Sequence, residues 1–192
     1  GIKADQFAGV EPEPSMTTGQ KCSDMLHEGG YGLVVGFGGG SALDVAKIAS
    51  VTAGRGNIAD WVGIGKIPSK GVPMLFIPTT SGSGSEATLS ALLTDVAAGG
   101  VKKGFVSPYM LPDSIIIDPM TTISLPPKST AATGIDALIH ALEAFVSRKA
   151  NPVTDALALE EAGCFSLVLE SIPARTLVLH QGALHYDGRW PP

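Results

Sequence analysis

The sequence predicts an α/β fold, a parallel sheet flanked by helices that gives way to the start of an all-helical domain. Three observations carry this expectation. Two continuous apolar runs, in "YGLVVGFGGGS" (31–41) and "GVPMLFIPTTSGSGSEAT" (71–88), each end in a loop of glycine and hydroxyl residues. Between them lies a helical pattern, and strand, glycine turn, helix, strand is the grammar of a doubly wound sheet. After "ISLPPKST" (123–130) the chain changes to helical patterns alone.

Taken in order, Leu33 to Gly36 reads as a buried strand running into the glycine turn. "SALDVAKIASVTA" (41–53) has apolar residues at 42, 43, 46, 48 and 49, a helical spacing that Ser41 would cap. The run ending at Pro78 is the second strand. "ALLTDVAAGGVKKGFVS" (91–107) reads as a hairpin with Gly99 and Gly100 at its turn. "SIIIDP" (114–119) reads as a third short buried strand, closed by Pro119. Pro126 and Pro127 end the α/β part, and a helix is expected over 134–149, capped by Thr130 or Thr133. Asn151 and Pro152 open another near 153–162. The boundary so drawn gives an α/β domain over 1–127 and a helical domain over 128–192.

Composition bounds the function. At 192 residues the chain can bury a sizeable core, and 44% apolar against 16% charged residues argues for a globule rather than disorder. A net charge of −5, with no dense Lys/Arg patch to displace phosphate counterions, excludes nucleic-acid binding as an expectation. Cys22 and Cys164 are far apart with no CxxC, so reduced core thiols are expected rather than a disulfide framework or a thiolate metal knuckle. No basic segment followed by an apolar core marks a signal peptide, and no apolar run reaches bilayer-spanning length. A cytoplasmic protein is the expectation.

The loops and one helix carry the chemistry. Gly38, Gly39 and Gly40 let backbone N–H groups approach a pyrophosphate, and the helix that follows adds its positive dipole end. Ser41 stands where GxGxxG would have its last glycine, so a tight structural turn is the plain alternative. Thr79, Thr80, Ser81 and Ser83 are more hydroxyls than a structural turn needs, and can hydrogen-bond a nucleotide. In "TGIDALIHALEAF" (133–145), Asp136 and His140 are four residues apart and therefore project from one helical face. They stand among Ile135, Leu138, Leu142 and Phe145, which read as a core stripe. A carboxylate oxygen and an imidazole nitrogen suit Fe²⁺ or Zn²⁺. Such a cation would act on an alcohol or aldehyde oxygen as a Lewis acid. Glu143 is expected to face solvent, Trp61 and Phe145 to be core residues, and His27 to be a surface histidine. No GxxxxGK[ST], no GxSxG and no Tyr with Lys four residues on occurs, which removes P-loop, nucleophile-elbow and Tyr/Lys chemistries.

"GGGSALDVAK", "PTTSGSGSEAT", "LPDSIIIDP", "TAATGIDALIHALEAFVS" and "ANPVTDALAL" together resemble the iron-containing alcohol dehydrogenase family, within the wider fold of dehydroquinate synthase and glycerol dehydrogenase. The resemblance spans about residues 8–160 and implies a dinucleotide-binding α/β domain, incomplete at its N-terminus, followed by the start of a helical metal-binding domain. It implies NAD or NADP as cofactor, Fe²⁺ or alternatively Zn²⁺ as metal, a small alcohol or aldehyde as substrate, and a homodimer. Residue by residue, Gly38, Gly39, Gly40 and Ser41 fall on the pyrophosphate loop with Asp44 behind it. Thr79, Thr80 and Ser83 fall on the second nucleotide loop, Lys102 (or Lys103 beside it) on a lysine near the nucleotide, and Asp136 and His140 on the first two metal ligands. Two further histidines are implied downstream. His180 and His185 lie in a tail where the resemblance is expected to end, from about Glu161. Glu13 stands where the family usually has Asn, which would add charge near the nucleotide. The competing expectation is a non-catalytic remnant that keeps only nucleotide-loop binding.

Overall fold

The structure is a computed structural model and describes residues 3–170, with 163–170 as backbone only. The chain divides into two compact units, one of residues 1–80 and 84–123, the other of 81–83 and 124–192.

The first unit is built around one helix. β1 (Val34–Gly38) pairs in parallel with β3 (Met74–Pro78), which pairs in parallel with β6 (Ser114–Ile115). A second sheet sets β5 (Val101–Val106) between β2 (Gly63–Ile64), in parallel, and β4 (Ser90–Asp95), antiparallel. Helix α2 (Gly40–Thr52) packs on both: Leu43 and Ala46 join Met74 and Phe76 of the parallel sheet, while Val45, Ile48 and Val51 join Ala91, Leu93 and Phe105 of the mixed one. A helix with cores on two sides is buried nearly all round, so its polar side chains Asp44, Lys47, Ser50 and Thr52 find their partners inside the fold. The sequence expectation of an α/β fold with a parallel sheet holds.

Several boundaries differ from the sequence reading. β1 runs from Val34 to Gly38 rather than Leu33 to Gly36. The N-cap of α2 is Gly39, not Ser41, and it offers no side-chain acceptor. "SIIIDP" contributes only Ser114 and Ile115 to the sheet, both exposed, and Ile116 and Ile117 are exposed as well. Its apolar run is therefore not a buried strand. The hairpin at 91–107 is present as expected, with Gly99 and Gly100 both at positive φ in its turn.

Helix α1 (Met16–Gly29) was not expected from the sequence. Ser15 caps it, its hydroxyl accepting from Thr18 N–H at 3.1 Å. Glu11 reinforces the cap, its carboxylate accepting from Ser15 N–H and the Thr18 hydroxyl, each at 2.9 Å. Partial burial pushes the Glu11 pKa up, but these hydrogen bonds outweigh it and pull the carboxyl down to about 2. A lowered folded-state pKa adds stability above the unfolded value of 4.5, which is lost as pH falls from there toward about 2. Glu11→Gln should therefore lower the melting temperature at neutral pH, and the gap to the parent should close on acidification through that window. Thermal melts across pH check this, and a gap independent of pH would refute it. Cys22 on α1 packs against the core as a free thiol, and burial raises its pKa to about 11. The expectation for Cys164 lies outside the described side chains.

In the second unit, α3 (Pro127–Val146) begins seven residues before the expected start at 134, and α4 (Pro152–Glu170) extends past 162. Pro127 occupies the first helical position, where its fixed φ is already helical. Thr130 and Thr133 do not cap α3: inside the helix, their hydroxyls donate back to the carbonyls of Pro126 and Ser129. Asn151 does cap α4, accepting from Val153 N–H and Thr154 N–H. The helices α3 and α4 pack together, and the buried positions of α3 are Gly134 and Ala141, two turns apart on one face. Ile135, Leu142 and Phe145 lie off that face and are about half exposed, contrary to the expected core stripe. Trp61 does pack against the core, and His27 and Glu143 are exposed, as expected. Among the described residues, no helix is long and apolar enough to cross a membrane.

Candidate functional site

The parallel register places the two loops side by side. Gly38 is the partner of Pro78, so both strands end at the same level, and Thr79 N–H donates to the Gly38 carbonyl at 3.0 Å. In open α/β sheets, the crevice beyond the carboxyl ends of neighbouring strands is where nucleotides bind. The backbone demands glycine there. Gly38 has φ 151, and a Cβ on it would lie 2.8 Å from the Ala42 Cβ; a Cβ on Gly39 would lie 3.1 Å from the Thr80 methyl. Ala42 N–H and Leu43 N–H donate to the Gly39 carbonyl, and because the Gly39 cap brings no side-chain acceptor to α2, the N–H groups of Gly40 and Ser41 stay available to an anion. An approach that side chains would block, beside donors that no side chain satisfies, fits a pyrophosphate.

Of the expected nucleotide residues, the structure brings together Gly38, Gly39, Gly40, Ser41, Thr79 and Thr80. Ser83 belongs to the second compact unit. Asp44 is turned to internal use: it accepts from the Ser85 hydroxyl at 2.6 Å and from Leu92 N–H at 2.9 Å. Lys102 pairs with Glu13 at 2.9 Å, and Lys103 lies 3.8 Å from Asp95. Glu13 is the one non-glycine residue at positive φ among the described residues, at φ 56. Asparagine tolerates that conformation better than glutamate, so the position expected to hold Asn is a left-handed one.

Sequence reasoning missed Lys47. Its side chain is fully buried, with the ammonium donating to Ser85 Oγ at 2.9 Å, Thr88 Oγ1 at 3.0 Å and the Ser90 carbonyl at 2.8 Å. Asp44 lies 3.6 Å away. Burial lowers the lysine pKa, opposed by the charges of Asp44 and Glu86. The signal was available: Lys47 is the only cation of α2, a helix with two packed faces, and a buried charge needs a built partner set.

Asp136 and His140 project from one face of α3, with Oδ1 and Nε2 3.8 Å apart and each side chain about half exposed. At that distance they are not hydrogen-bonded to each other. Among the described residues, no group of three or more His, Cys, Asp or Glu gathers to hold a metal. The pair supplies one hard oxygen and one imidazole nitrogen, a donor set that suits Fe²⁺ or Zn²⁺. His180 and His185 lie outside the described residues.

Comparison with known proteins places this arrangement. The sequence profile described as "Iron-containing alcohol dehydrogenase" matches residues 1–119, and that of the "Fe-containing alcohol dehydrogenase family, C-terminal" matches 130–179. The second match runs past Glu161, where the resemblance was expected to end. Sulfoacetaldehyde reductase of Bilophila wadsworthia is 47% identical over 161 residues, covering 83% of this chain and 41% of that protein. Long-chain-alcohol dehydrogenase 1 of Geobacillus thermodenitrificans is 45% identical over 163 residues, covering 83% of this chain and 40% of its own. The crystal structure of sulfoacetaldehyde reductase from Bifidobacterium kashiwanohense in complex with NAD⁺ superposes with TM-score 0.77 at 39% identity, covering 84% of this chain and 43% of that one. The chain thus spans about two fifths of the length of these relatives. With one profile covering more than half of its residues and the C-terminal profile following in order, the chain belongs to the iron-containing alcohol dehydrogenase family.

Proposed function

We propose that this protein transfers hydride between a small alcohol or aldehyde and NAD or NADP, with a divalent metal held in part by Asp136 and His140. The observation that carries the reading is the crevice at the paired ends of β1 and β3. There a glycine turn, a helix N-terminus without a side-chain cap and the hydroxyl loop of Thr79 and Thr80 converge. Gly38 to Ser41 would hold the pyrophosphate through backbone N–H groups, and Thr79 and Thr80 would border it. Asp44 would act from behind, by fixing its neighbours rather than by touching the nucleotide. Asp136 and His140 would supply an oxygen and a nitrogen to the metal, with the remaining donors coming from outside the described residues. When bound, the metal supplies Lewis acidity toward the substrate oxygen and the nicotinamide exchanges the hydride. Short primary alcohols, diols and aldehydes are the proposed substrate range, and a cytoplasmic homodimer is the proposed setting. The named activities of the relatives support this reading over a non-catalytic remnant.

Fluorescence titration with NADH and NADPH tests the crevice, with Gly38→Val as control. Saturable binding by the parent, weakened by about tenfold or more in the variant, is expected, because the added side chain meets Ala42 and blocks the backbone approach. A titration that the variant leaves unchanged would sink the assignment. Alcohol-dependent reduction of NAD⁺ or NADP⁺ by the protein encoded at full length tests the reaction itself.

A further inference from the structure

We propose that Lys47 is a positioning residue for nucleotide binding. Its buried ammonium ties the far end of the second loop to the same helix that presents the pyrophosphate site, so both walls of the crevice are set by α2. The inference rests on the proposed nucleotide crevice and deepens it.

The geometry runs as one chain of contacts. The second loop leaves β3 at Pro78 and is held at once to the first by the bond from Thr79 N–H to the Gly38 carbonyl. It rejoins the sheet at β4, and on the way Ser85, Thr88 and Ser90 all turn an oxygen onto Lys47. The Ser85 hydroxyl accepts from Lys47 and donates to Asp44, whose other oxygen accepts from Leu92 N–H. The Thr88 hydroxyl, in turn, lies within bonding distance of the Ser85 and Ser90 carbonyls. Asp44 and Lys47 stand one turn apart on α2, whose first turn faces the crevice. Both ends of the loop are therefore pinned to elements of the pyrophosphate site. Tethering both ends reduces the entropy the loop would otherwise lose when a nucleotide orders it. Three oxygens turned onto one ammonium cannot be satisfied by an apolar side chain, so losing the cation frees the segment.

The lysine touches no nucleotide in this account, which makes the test a comparison of affinity with stability. Lys47→Met keeps the length of the side chain and removes its charge. Thr88→Val removes one of the three acceptors with little change of shape. Each is titrated with NADH well below its melting temperature, and hydrogen exchange is followed over residues 84–92 and over β1. Expected are a dissociation constant raised about tenfold for Lys47→Met and a few-fold for Thr88→Val. Faster exchange should be confined to 84–92. A purely structural lysine would lower the melting temperature while the folded protein bound NADH with the parent's affinity, and that result overturns the proposal. If Lys47→Met does not fold, Thr88→Val decides in the same way. Failure of the parent itself to bind NADH would overturn the crevice assignment and this inference together. Binding by the parent with unchanged affinity in the folded variants would overturn the positioning role alone.

Discussion

Gly71→Ala should lower the stability of the first unit by about 3 kcal/mol, the upper end of what overpacking costs. In a chain of this size that corresponds to a melting temperature roughly 6–12 °C lower. The reason is the close crossing of the loop before β3 over the last turn of α2. A Cβ on Gly71 would lie 1.8 Å from the Ser50 carbonyl oxygen and 2.8 Å from the Val51 Cα, all of it backbone. Neither atom can swing aside as a flexible side chain would. Moving the loop instead would break the bond from Val72 N–H to the Ser50 carbonyl at 3.2 Å and the one from the Ser50 hydroxyl to the Val72 carbonyl. These bonds join α2 to the strand that carries Pro78 and the second loop. Gly32→Ala is the matched control, since its Cβ would meet nothing within 4 Å and its φ is not in the left-handed region. That change should be neutral or slightly stabilising. Thermal melts of the two variants decide the matter, and equal melting temperatures would refute the account.

The parts of this fold that were legible are those in which one physical signal dominates. β1 and β3 are apolar runs closed by turn residues, and both are strands. The hairpin declared itself through Gly99 and Gly100. Helix α1 was invisible because its buried positions are Thr18, Gly19, Ser23 and Leu26, three of them small or polar, so no hydrophobic period forms. Its ends were nonetheless marked, by Ser15 as cap and by Gly30 in a left-handed C-cap. "SIIIDP" misled in the opposite sense, since its isoleucines suggest burial that a two-residue exposed strand does not provide. On α3 the apolar residues suggested a core face, yet the positions that are buried are Gly134 and Ala141. Both are small, and hydropathy does not register them.

The site divides along the same line. The glycine turn could be read because positive φ and close approach leave glycine little substitute. The adjacency of Thr79 to Gly38 could not be read, because it depends on strand register. Lys47 was overlooked because its partners lie about forty residues away, at 85, 88 and 90. A charge within a buried helix predicts that partners exist without saying which residues they are. Asp136 and His140 stood out because helical spacing is local. A complete ligand set is a product of tertiary structure and leaves no local trace.

Asp136→Ala combined with His140→Ala should abolish metal retention while leaving the fold and NADH binding intact. Both side chains are half exposed and 3.8 Å apart, so their mutual interaction contributes little to stability. Alanine is the best helix former, so α3 should persist. Surface changes of this kind usually stay within about 0.5 kcal/mol. The effect on metal is of another order. Loss of even an outer hydrogen-bonding partner typically costs about 10–100-fold in metal affinity, and here two direct donors disappear. The measurement is metal content by elemental mass spectrometry after loading with Fe²⁺ or Zn²⁺ without oxygen, on parent and variant side by side. Metal held by the parent and absent from the variant places the ion on this face of α3. Equal and full content in the two proteins would remove Asp136 and His140 from the metal site, and two empty proteins would mean that these two donors are not completed into a site within this chain.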